Sequence, residues 1–311
     1  MGAFGGTYSL APLTGARQAL VASADSIGTK VRVAQMVGRH NTIGVDIVHH
    51  CANDIPVQGA RPLFFLDTIT MSRLDPAVIE AVITGLANAC RSLDCALLGG
   101  ETAELPGFCP PEEYDLVGFI VGAVAEEHVP DPAVVRRGDV VLGLPSSGLH
   151  TNGYSLARKV FFETAGWTVD RHVPKLGRTL GEALLVPHRC YTREVLPLLH
   201  GGLVRVLAHL TGGGFFDNIP RSLPSGLGVE IERGTWEVPP IFRLIQRLGG
   251  VSDEEMYHVF NMGIGMTLIV APDQVDEVSS RLSSVGCPAS VIGRVVEGER
   301  AVRLIGMRDE G

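Results

Sequence analysis

The sequence passes from an apolar run into an acidic loop at Leu20-Val21-Ala22-Ser23-Ala24-Asp25-Ser26-Ile27-Gly28-Thr29-Lys30. Two further acidic loops follow apolar runs: Cys51-Ala52-Asn53-Asp54 comes after Ile43–Val48, and Gly99-Gly100-Glu101-Thr102-Ala103-Glu104 comes after Ala96–Leu98. We interpret each apolar run as a strand. Strand ends that present carboxylates beside glycines and a lysine suit a divalent cation and a polyphosphate, because Mg²⁺ prefers carboxylate and phosphate oxygens. The pattern therefore favours an enzyme that uses ATP.

The composition is that of a large acidic protein from a reducing environment. Its 311 residues, 45% of them hydrophobic, can bury a large core and predict two domains. The formal net charge of −8, without a run of Lys or Arg, argues against nucleic acid as the main partner. The six cysteines show neither a Cys-x-x-Cys motif nor a regular spacing, which argues against a zinc site and a secreted disulfide framework.

No segment of the sequence predicts a membrane span or an export signal. The chain has no uninterrupted apolar stretch of about 18 residues, the length that indicates a transmembrane helix. The first residues, Met1-Gly2-Ala3-Phe4-Gly5-Gly6, lack the basic segment and the long apolar run of a signal peptide. We therefore expect a soluble, cytoplasmic protein.

Strand and helix patterns alternate along the chain, which predicts a layered α/β (α+β) architecture. The break at Pro130-Asp131-Pro132 predicts a boundary between a domain of residues 1–129 and a domain of residues 130–311. Strands are predicted at 17–24, 43–48, 64–69, 95–98, 116–124, 139–144, 204–207, 226–231, 265–270 and 291–296. Helices are predicted at 76–92, after the cap Asp75-Pro76, and at 153–165, 239–248 and 273–285; Ser252 and Glu255 have the spacing of a capping box.

The acidic loops of the first half offer several candidate ligands. The loop from Asp25 to Lys30 resembles half of a phosphate-binding loop, although its lysine follows threonine instead of preceding it, and an ordinary surface turn is the alternative. His49 and His50 lie on a predicted strand and would point to opposite faces, so we do not expect them to bind one ion. Asp54 is the better candidate ligand, and Glu104 is either a second ligand or a solvated residue.

Two polar segments of the second half are candidates for binding phosphate. The run from Pro145 to Ser155 lies between a predicted strand and a predicted helix, where unpaired amides and the helix N-terminus favour anions. The alternative is a helix cap, for which Thr151 or Asn152 alone would suffice. The second segment, His209–Asn218, contains three consecutive glycines that can expose their amides to a phosphate.

The ordered set of these segments resembles the family of phosphoribosylformylglycinamidine cyclo-ligases, also called aminoimidazole ribonucleotide synthetases. The resemblance covers essentially the whole chain. Its motifs are Asp25-x-x-Gly28-Thr29-Lys30, Asn53-Asp54, Gly59–Asp67, Gly99–Gly107, Ser146–Leu156, His209–Gly214 and Asn261-x-Gly263-x-Gly265-Met266.

The resemblance implies a fold of two α/β domains whose N-terminal domains pair in a homodimer. It also implies a reaction in de novo purine biosynthesis. ATP activates the amide oxygen of formylglycinamidine ribonucleotide, a substrate nitrogen closes the imidazole ring, and ADP and phosphate leave. Because the nucleophile belongs to the substrate, the protein has to align the reacting groups and stabilise the phosphoryl charge.

On this resemblance we assign roles to the candidate residues. The expected Mg²⁺ ligands are Asp25, Asp54 and Glu101. The expected ATP and phosphate contacts are Gly28, Thr29, Lys30, Gly99, Gly100 and Thr102, and the expected substrate contacts are Ser147, His150, Asn152, Gly212, Gly213 and Gly214. The expected catalytic residues are His150, Asp54 and Lys30, with an acid–base, a substrate-binding or a structural role for His150.

Related families and a departure from the pattern leave alternatives open. In the cyclo-ligase family a few dozen residues, including a lysine of the nucleotide site, usually precede the segment at which this sequence starts, so we expect ATP affinity to depend on them. A catalytically silent dimeric scaffold is one alternative. Other members of the superfamily are another: selenophosphate synthetase is disfavoured because no cysteine precedes Cys51, and kinase relatives because Ser26 follows Asp25 where they have paired aspartates. The hydrogenase-maturation protein is a further relative.

Overall fold

Two mixed sheets organise the part of the chain that the structure describes. The structure is a computed structural model and describes residues 4–11, 15, 17–107, 109–110 and 113–306. The first sheet has five strands in the order β1-β2-β5-β3-β4, and the second has six in the order β13-β10-β12-β6-β11-β9. The mixed α/β class predicted from the sequence is confirmed.

The first sheet is covered on one face by two long helices. Its half of the chain consists of β1 Gly6–Ser9, β2 Gln18–Ser26, α1 Lys30–Val37, α2 Asn41–Asp54, β3 Arg61–Met71, α3 Pro76–Ser92, β4 Ala96–Glu104 and β5 Tyr114–Ala125. Strands β3 and β4 are parallel, whereas β1–β2, β2–β5 and β3–β5 are antiparallel. The carboxyl ends of β2, β3 and β4 therefore lie at the same end of the sheet.

The predicted strand at 43–48 is wrong, because these residues belong to the helix α2. Ile43, Ile47 and Cys51 recur at every fourth position and are fully buried, as expected for one face of a helix. Gly44 packs against α3 so closely that an added Cβ would lie 2.1 Å from the carbonyl oxygen of Val82. Helix α2 is buried on several sides, and its polar residues Asp46, His50 and Asp54 are buried with the apolar ones, so they do not mark a solvent-facing side of a helix.

The second half of the chain surrounds a mostly antiparallel sheet, with β10 and β13 as its parallel pair. Its strands are β6 Val140–Pro145, β9 Val206–His209, β10 Leu227–Glu232, β11 Ile264–Val270, β12 Ser290–Glu297 and β13 Val302–Ile305; β7 His172–Val173 and β8 Arg178–Thr179 pair separately. The helices are α4 Tyr154–Arg158, α5 Leu180–Leu184, α6 Thr192–His200, α7 Gly214–Asn218, α8 Pro240–Gly249, α9 Asp253–Val259 and α10 Val275–Ser284.

Apart from 43–48, the predicted strands are confirmed, as are the helices at 76–92, 239–248 and 273–285. The predicted helix at 153–165 is α-helical only to Arg158 and π-helical over Lys159–Thr164. The cap at Asp75 is confirmed, since its carboxylate accepts from the amides of Ala77 and Val78. Among the described residues, no helix combines the length and apolar character that a membrane crossing requires.

The predicted domain boundary after residue 129 falls in the segment that connects β5 to β6. The assignment of separate roles to residues 1–129 and 130–311 stays a prediction. The prediction that Met1–Gly6 is not part of an export signal concerns residues that lie partly outside the described ones, which begin at Phe4.

Candidate active site between the two sheets

The end of β2 and the last turn of α2 bring three potential metal ligands together. One ligand atom from each of Asp25, His50 and Asp54 can be chosen so that all lie within 4.8 Å of one another. Asp25 Oδ2 is 2.7 Å from His50 Nε2; the Asp25 side chain is 47% exposed and that of His50 only 4%. His50 and Asp54 share a face of α2 because they are four residues apart on a helix. His50 is therefore part of the cluster, which the strand interpretation of 43–48 did not predict.

The two halves of the chain meet around these carboxylates. Asp54 accepts hydrogen bonds from Ser23 Oγ at 2.8 Å and from His209 Nδ1 at 2.9 Å. His50 Nδ1 lies 2.6 Å from Thr151 Oγ1, which in turn lies 3.3 Å from His188 Nδ1. The polar segments at 145–155 and 209–214 thus approach Asp25 and Asp54 of the same chain.

Burial and neighbouring charges shift the pKa values of Asp25 and His50 in opposite directions. Burial alone would raise the pKa of Asp25, but the neighbouring His50 lowers it below its usual value. Burial also opposes protonation of His50, yet the carboxylates of Asp25 and Asp54 raise its pKa. His188 is different, because burial and the other histidines hold its pKa well below the usual value.

Lys30 is buried, and its ammonium group is hydrogen-bonded to other residues of the protein. Its Nζ donates to Asp46 Oδ1 at 2.8 Å and to the carbonyl oxygens of His150 and Val186, each at 2.9 Å. An ammonium group has three hydrogens, so these contacts use all of its donors. The role of Lys30 as a ligand of ATP phosphates stays a prediction and would require some of these bonds to break.

The two residues before Lys30 lie closer to solvent. Gly28 has a φ of +63° in the turn that leads into α1, a conformation that favours glycine. Thr29 Oγ1 is 3.2 Å from Ser155 Oγ, so this loop contacts the polar run of the second half.

His150 is buried beneath the loop that carries Ser147. Its Nε2 accepts from the amide of Ser147 at 3.1 Å, its ring stacks on His188 at a centroid distance of 3.9 Å, and its φ is +60°. Burial, together with His209 and Lys30, lowers its pKa well below the usual value, so the ring is neutral near pH 7. Gly265 provides the space for this arrangement, because an added Cβ would lie 2.5 Å from His150 Cε1.

The glycine triplet leads into α7, whose first residue is Gly214, and the side chain of Asn218 holds this turn in place. Asn218 Nδ2 lies 3.3, 3.1 and 2.8 Å from the carbonyl oxygens of Thr211, Gly212 and Gly214, which share its two hydrogens. Gly213 has a φ of +90°, and a Cβ there would lie 2.4 Å from Asp217 Oδ2. Glycine is therefore required by the loop conformation itself. Its phosphate-binding role, like the substrate contact predicted for the half-buried Asn152, stays a prediction.

Glu101 lies far from Asp25 and Asp54. Asp25 pairs with Gly118, Gly118 with Asp67, and Asp67 with Gly100, so β2 and β4 are three strand spacings, or about 14 Å, apart. Glu101 follows Gly100 and so points to the opposite face of the sheet. Because of this separation, Asp25, Asp54 and Glu101 of a single chain cannot bind one ion in this arrangement. The third residue of the cluster is His50.

The predicted acidic loop that begins at Gly99 is wrong over Gly99–Glu104, because these residues continue strand β4 and pair with β3. Its glycines belong to a separate depression at the edge of the first sheet. It has a volume of about 310 Å³ and is lined by Asp67, Ile83, Leu97, Leu98, Gly99, Gly100, Glu101 and Thr102. A Cβ on Gly100 would lie 2.2 Å from the carbonyl oxygen of Asp67, so glycine permits the close approach of β3 and β4. The predicted contacts of Gly99, Gly100 and Thr102 with ATP stay predictions.

Both halves of the sequence match one known protein family. The family "AIR synthase related protein" matches with its N-terminal domain at residues 8–124 and its C-terminal domain at residues 136–305. A phosphoribosylformylglycinamidine cyclo-ligase of Bifidobacterium animalis subsp. lactis is 48% identical over 298 residues, which are 96% of this chain and 87% of the relative. The chain belongs to the phosphoribosylformylglycinamidine cyclo-ligase family. A second cyclo-ligase, from Caldanaerobacter subterraneus subsp. tengcongensis, is 50% identical over 92% of this chain and 84% of its own length.

Solved structures share the fold of this cyclo-ligase family member at low sequence identity. Thiamine-monophosphate kinase from Stenotrophomonas maltophilia matches with a TM-score of 0.70 and 19% identity over 93% of this chain and 86% of its own. AaThiL complexed with AMPPCP and TMP matches with a TM-score of 0.68 and 17% identity over 100% of this chain and 90% of its own. The likeness confirms the predicted two-part α/β fold.

Proposed function

We propose that the chain catalyses the ATP-dependent ring closure of formylglycinamidine ribonucleotide to aminoimidazole ribonucleotide. The enzyme is a ligase that forms a C–N bond and releases ADP and phosphate. Identities of 48% and 50% to cyclo-ligases, over more than nine-tenths of the chain, carry this proposal. Its cytoplasmic location stays a prediction.

ATP and Mg²⁺ would bind where the two halves meet. The ATP analogue AMPPCP in the related AaThiL complex supports nucleotide binding on this fold. The junction suits a cation, because the carboxylates of Asp25 and Asp54 converge there and His50 Nε2 makes no aligned hydrogen bond with a described residue. Mg²⁺, when bound, would neutralise charge on the phosphate oxygens of the nucleotide.

A groove beside Ser147 would receive the phosphate of the substrate. It has a volume of about 270 Å³, and its lining includes Ser147, Gly148, Lys175 and Arg178. The two cationic side chains of this groove, Lys175 and Arg178, favour a phosphorylated ligand. Ser147 Oγ donates to the carbonyl oxygen of Pro187 at 2.6 Å, which fixes the orientation of the side chain at the groove.

The chain would work as a homodimer through the open face of its first sheet. Helices α2 and α3 cover the other face, whereas Phe119 on β5 remains 38% exposed. Val117, two residues before Phe119 on β5, extends this apolar surface. A second copy would remove it from water, which favours association.

The proposal is tested by following ADP and aminoimidazole ribonucleotide together. The purified chain is given ATP and Mg²⁺, with and without formylglycinamidine ribonucleotide. We expect ADP release that requires the substrate and matches the product one to one, and at least a hundredfold loss of activity in Asp54→Asn. ADP release without product, or no turnover by this chain and by a version extended at its N-terminus, would contradict the proposal.

A further inference from the structure

We propose that Asp25, His50 and Asp54 form a mixed carboxylate–imidazole site that binds a divalent transition-metal ion, Zn²⁺ or Mn²⁺, more tightly than Mg²⁺ and without nucleotide. The inference deepens the proposed function, because it shares Asp25 and Asp54 with the cation site of the ATP-using enzyme. It adds a nitrogen ligand, and with it the class of ion that the site prefers.

The positions of the three ligand atoms fit one ion with little rearrangement. Metal–nitrogen and metal–oxygen bonds are about 2.0–2.2 Å long, so two ligands of one ion are at most about 4.4 Å apart. One atom from each of the three side chains lies within 4.8 Å of the other two. The half-exposed side chain of Asp25 can move by the few tenths of an ångström that remain, whereas His50 and Asp54 are fixed by their burial.

His50 has the surroundings of a metal-ligating histidine. Its Nδ1 is 2.6 Å from Thr151 Oγ1, which orients the ring so that Nε2 faces the carboxylates. Nε2 is buried and has no aligned hydrogen-bond partner among the described residues, although Asp25 Oδ2 is only 2.7 Å away. Metal-binding histidines commonly have their second ring nitrogen held by a polar group in this way.

The carboxylate of Asp54 is oriented as well. Ser23 Oγ donates to its Oδ2 and His209 Nδ1 to its Oδ1, at 2.8 and 2.9 Å. Each carboxylate oxygen has two lone pairs, so one remains on each for an ion. The buried imidazole of His50 and the buried carboxylate of Asp54 therefore lie oriented for metal binding beside the more exposed Asp25.

The chemistry of this donor set determines the preferred ion. Mg²⁺ requires near-octahedral oxygen coordination and is usually bound through one or two carboxylates together with substrate phosphates. Imidazole nitrogen suits Zn²⁺ and other transition metals, and affinity rises from Mn²⁺ to Zn²⁺ at a given site. With three ligands supplied by the protein, the ion does not need a nucleotide to remain bound.

The test measures metal binding to the whole chain without nucleotide. After removal of metals with a chelator, Mn²⁺ is titrated and followed by electron paramagnetic resonance, and Zn²⁺ competes for the same site. We expect one equivalent of Mn²⁺, displacement by Zn²⁺ at lower concentration than by Mg²⁺, and pulsed spectra with coupling to a ¹⁴N nucleus. His50→Gln should lose the ¹⁴N coupling and bind Mn²⁺ at least tenfold more weakly.

His49→Gln is the matched control, because it alters the adjacent histidine of the same helix, whose Nδ1 contacts the carbonyl oxygen of His188 instead. Binding should be retained in this variant. Absence of Mn²⁺ binding to the wild-type chain, absence of ¹⁴N coupling, or unchanged binding by a folded His50→Gln would each overturn the inference. A chain that binds Mn²⁺ with ¹⁴N coupling but forms no aminoimidazole product would instead contradict only the proposed function.

Discussion

Lys30 and Asp46 form an ion pair that is wholly withdrawn from solvent, with Nζ 2.8 Å from Oδ1 and both side chains 0% exposed. The pair joins α1 and α2 to two segments of the second half, since Lys30 also donates to the carbonyl oxygen of His150 and Asp46 accepts from the amide of His188 at 2.7 Å. Burial raises the pKa of Asp46 to about 6 and lowers that of Lys30. The pair therefore positions the first acidic loop against the second half of the chain.

Removing one member of this pair should destabilise the protein strongly. Lys30→Met leaves Asp46 as an unpaired buried carboxylate, and we expect a loss of about 3–5 kcal/mol in the free energy of unfolding. The double variant Lys30→Met/Asp46→Leu should recover much of this loss, because no uncompensated charge remains. Urea unfolding measures the free energy of unfolding of the single and of the double variant.

The exposed pair of Arg281 and Glu277, four residues apart on α10, provides the comparison. Arg281→Ala should cost only about 0.3–0.5 kcal/mol, as is usual for exposed pairs on a helix. If Lys30→Met cost no more than Arg281→Ala, the positioning role of the buried pair would be untenable.

Acid should destabilise the junction through its neutral histidines. The pKa values of His150 and His188 lie well below the usual value, mainly through burial and through the charges of Lys30, His49, His50 and His209. Below about pH 6.5 the unfolded chain takes up protons that the folded chain does not, so stability falls by up to about 1.4 kcal/mol per pH unit for each histidine.

Other groups make the free energy of unfolding fall less steeply as the pH is lowered. The raised pKa of His50 stabilises the folded chain as the pH falls, and protonation of Asp46 near its pKa of about 6 acts in the same direction. His188→Gln should make unfolding free energies measured between pH 7.5 and 6.0 less dependent on pH. Leu268→Val, a buried substitution without a titratable group, should lower stability equally at each pH. An unchanged slope in His188→Gln would exclude this histidine as a source of acid sensitivity.

Loss of the Asn218 side chain should weaken substrate binding more than it slows turnover. Asn218→Ala removes the amide group that contacts three carbonyl oxygens of the glycine loop, and we expect KM for formylglycinamidine ribonucleotide to rise about tenfold, equivalent to about 1.4 kcal/mol. Steady-state kinetics would separate KM from kcat. Asn218→Asp, which keeps the shape but loses the donor, should behave similarly; a normal KM in both would show that the loop does not bind substrate.

A charge on the open face of the first sheet should dissociate the proposed homodimer. Phe119→Glu places a carboxylate in an apolar interface, where its desolvation opposes association. Sedimentation velocity should change from a dimer to a monomer. Val134→Glu is the control, because Val134 is also 38% exposed but lies outside the sheet; a monomeric wild-type chain or a dimeric Phe119→Glu would contradict the proposal.

Much of the fold could be predicted from the sequence, because its signals are local. The cap of Asp75-Pro76 marks the start of α3, and apolar runs between turn residues mark the strands of both sheets. Helix α2 could not be recognised in this way, since burial on several sides removed the polar face that reveals a helical period. With that helix misassigned, the spacing of His50 and Asp54 carried no signal.

The candidate site was predictable only in part. Asp25 and Asp54 follow from the acidic loops, and the sequence by itself determined the family through its ordered motifs. The convergence of His50, Thr151, His188 and His209 required the tertiary structure, because these residues are distant in sequence and meet only where the two halves pack. Tertiary structure also separated Glu101 from the cluster: strand order places β4 at the far edge of the sheet, and the alternation of side chains directs Glu101 to its other face.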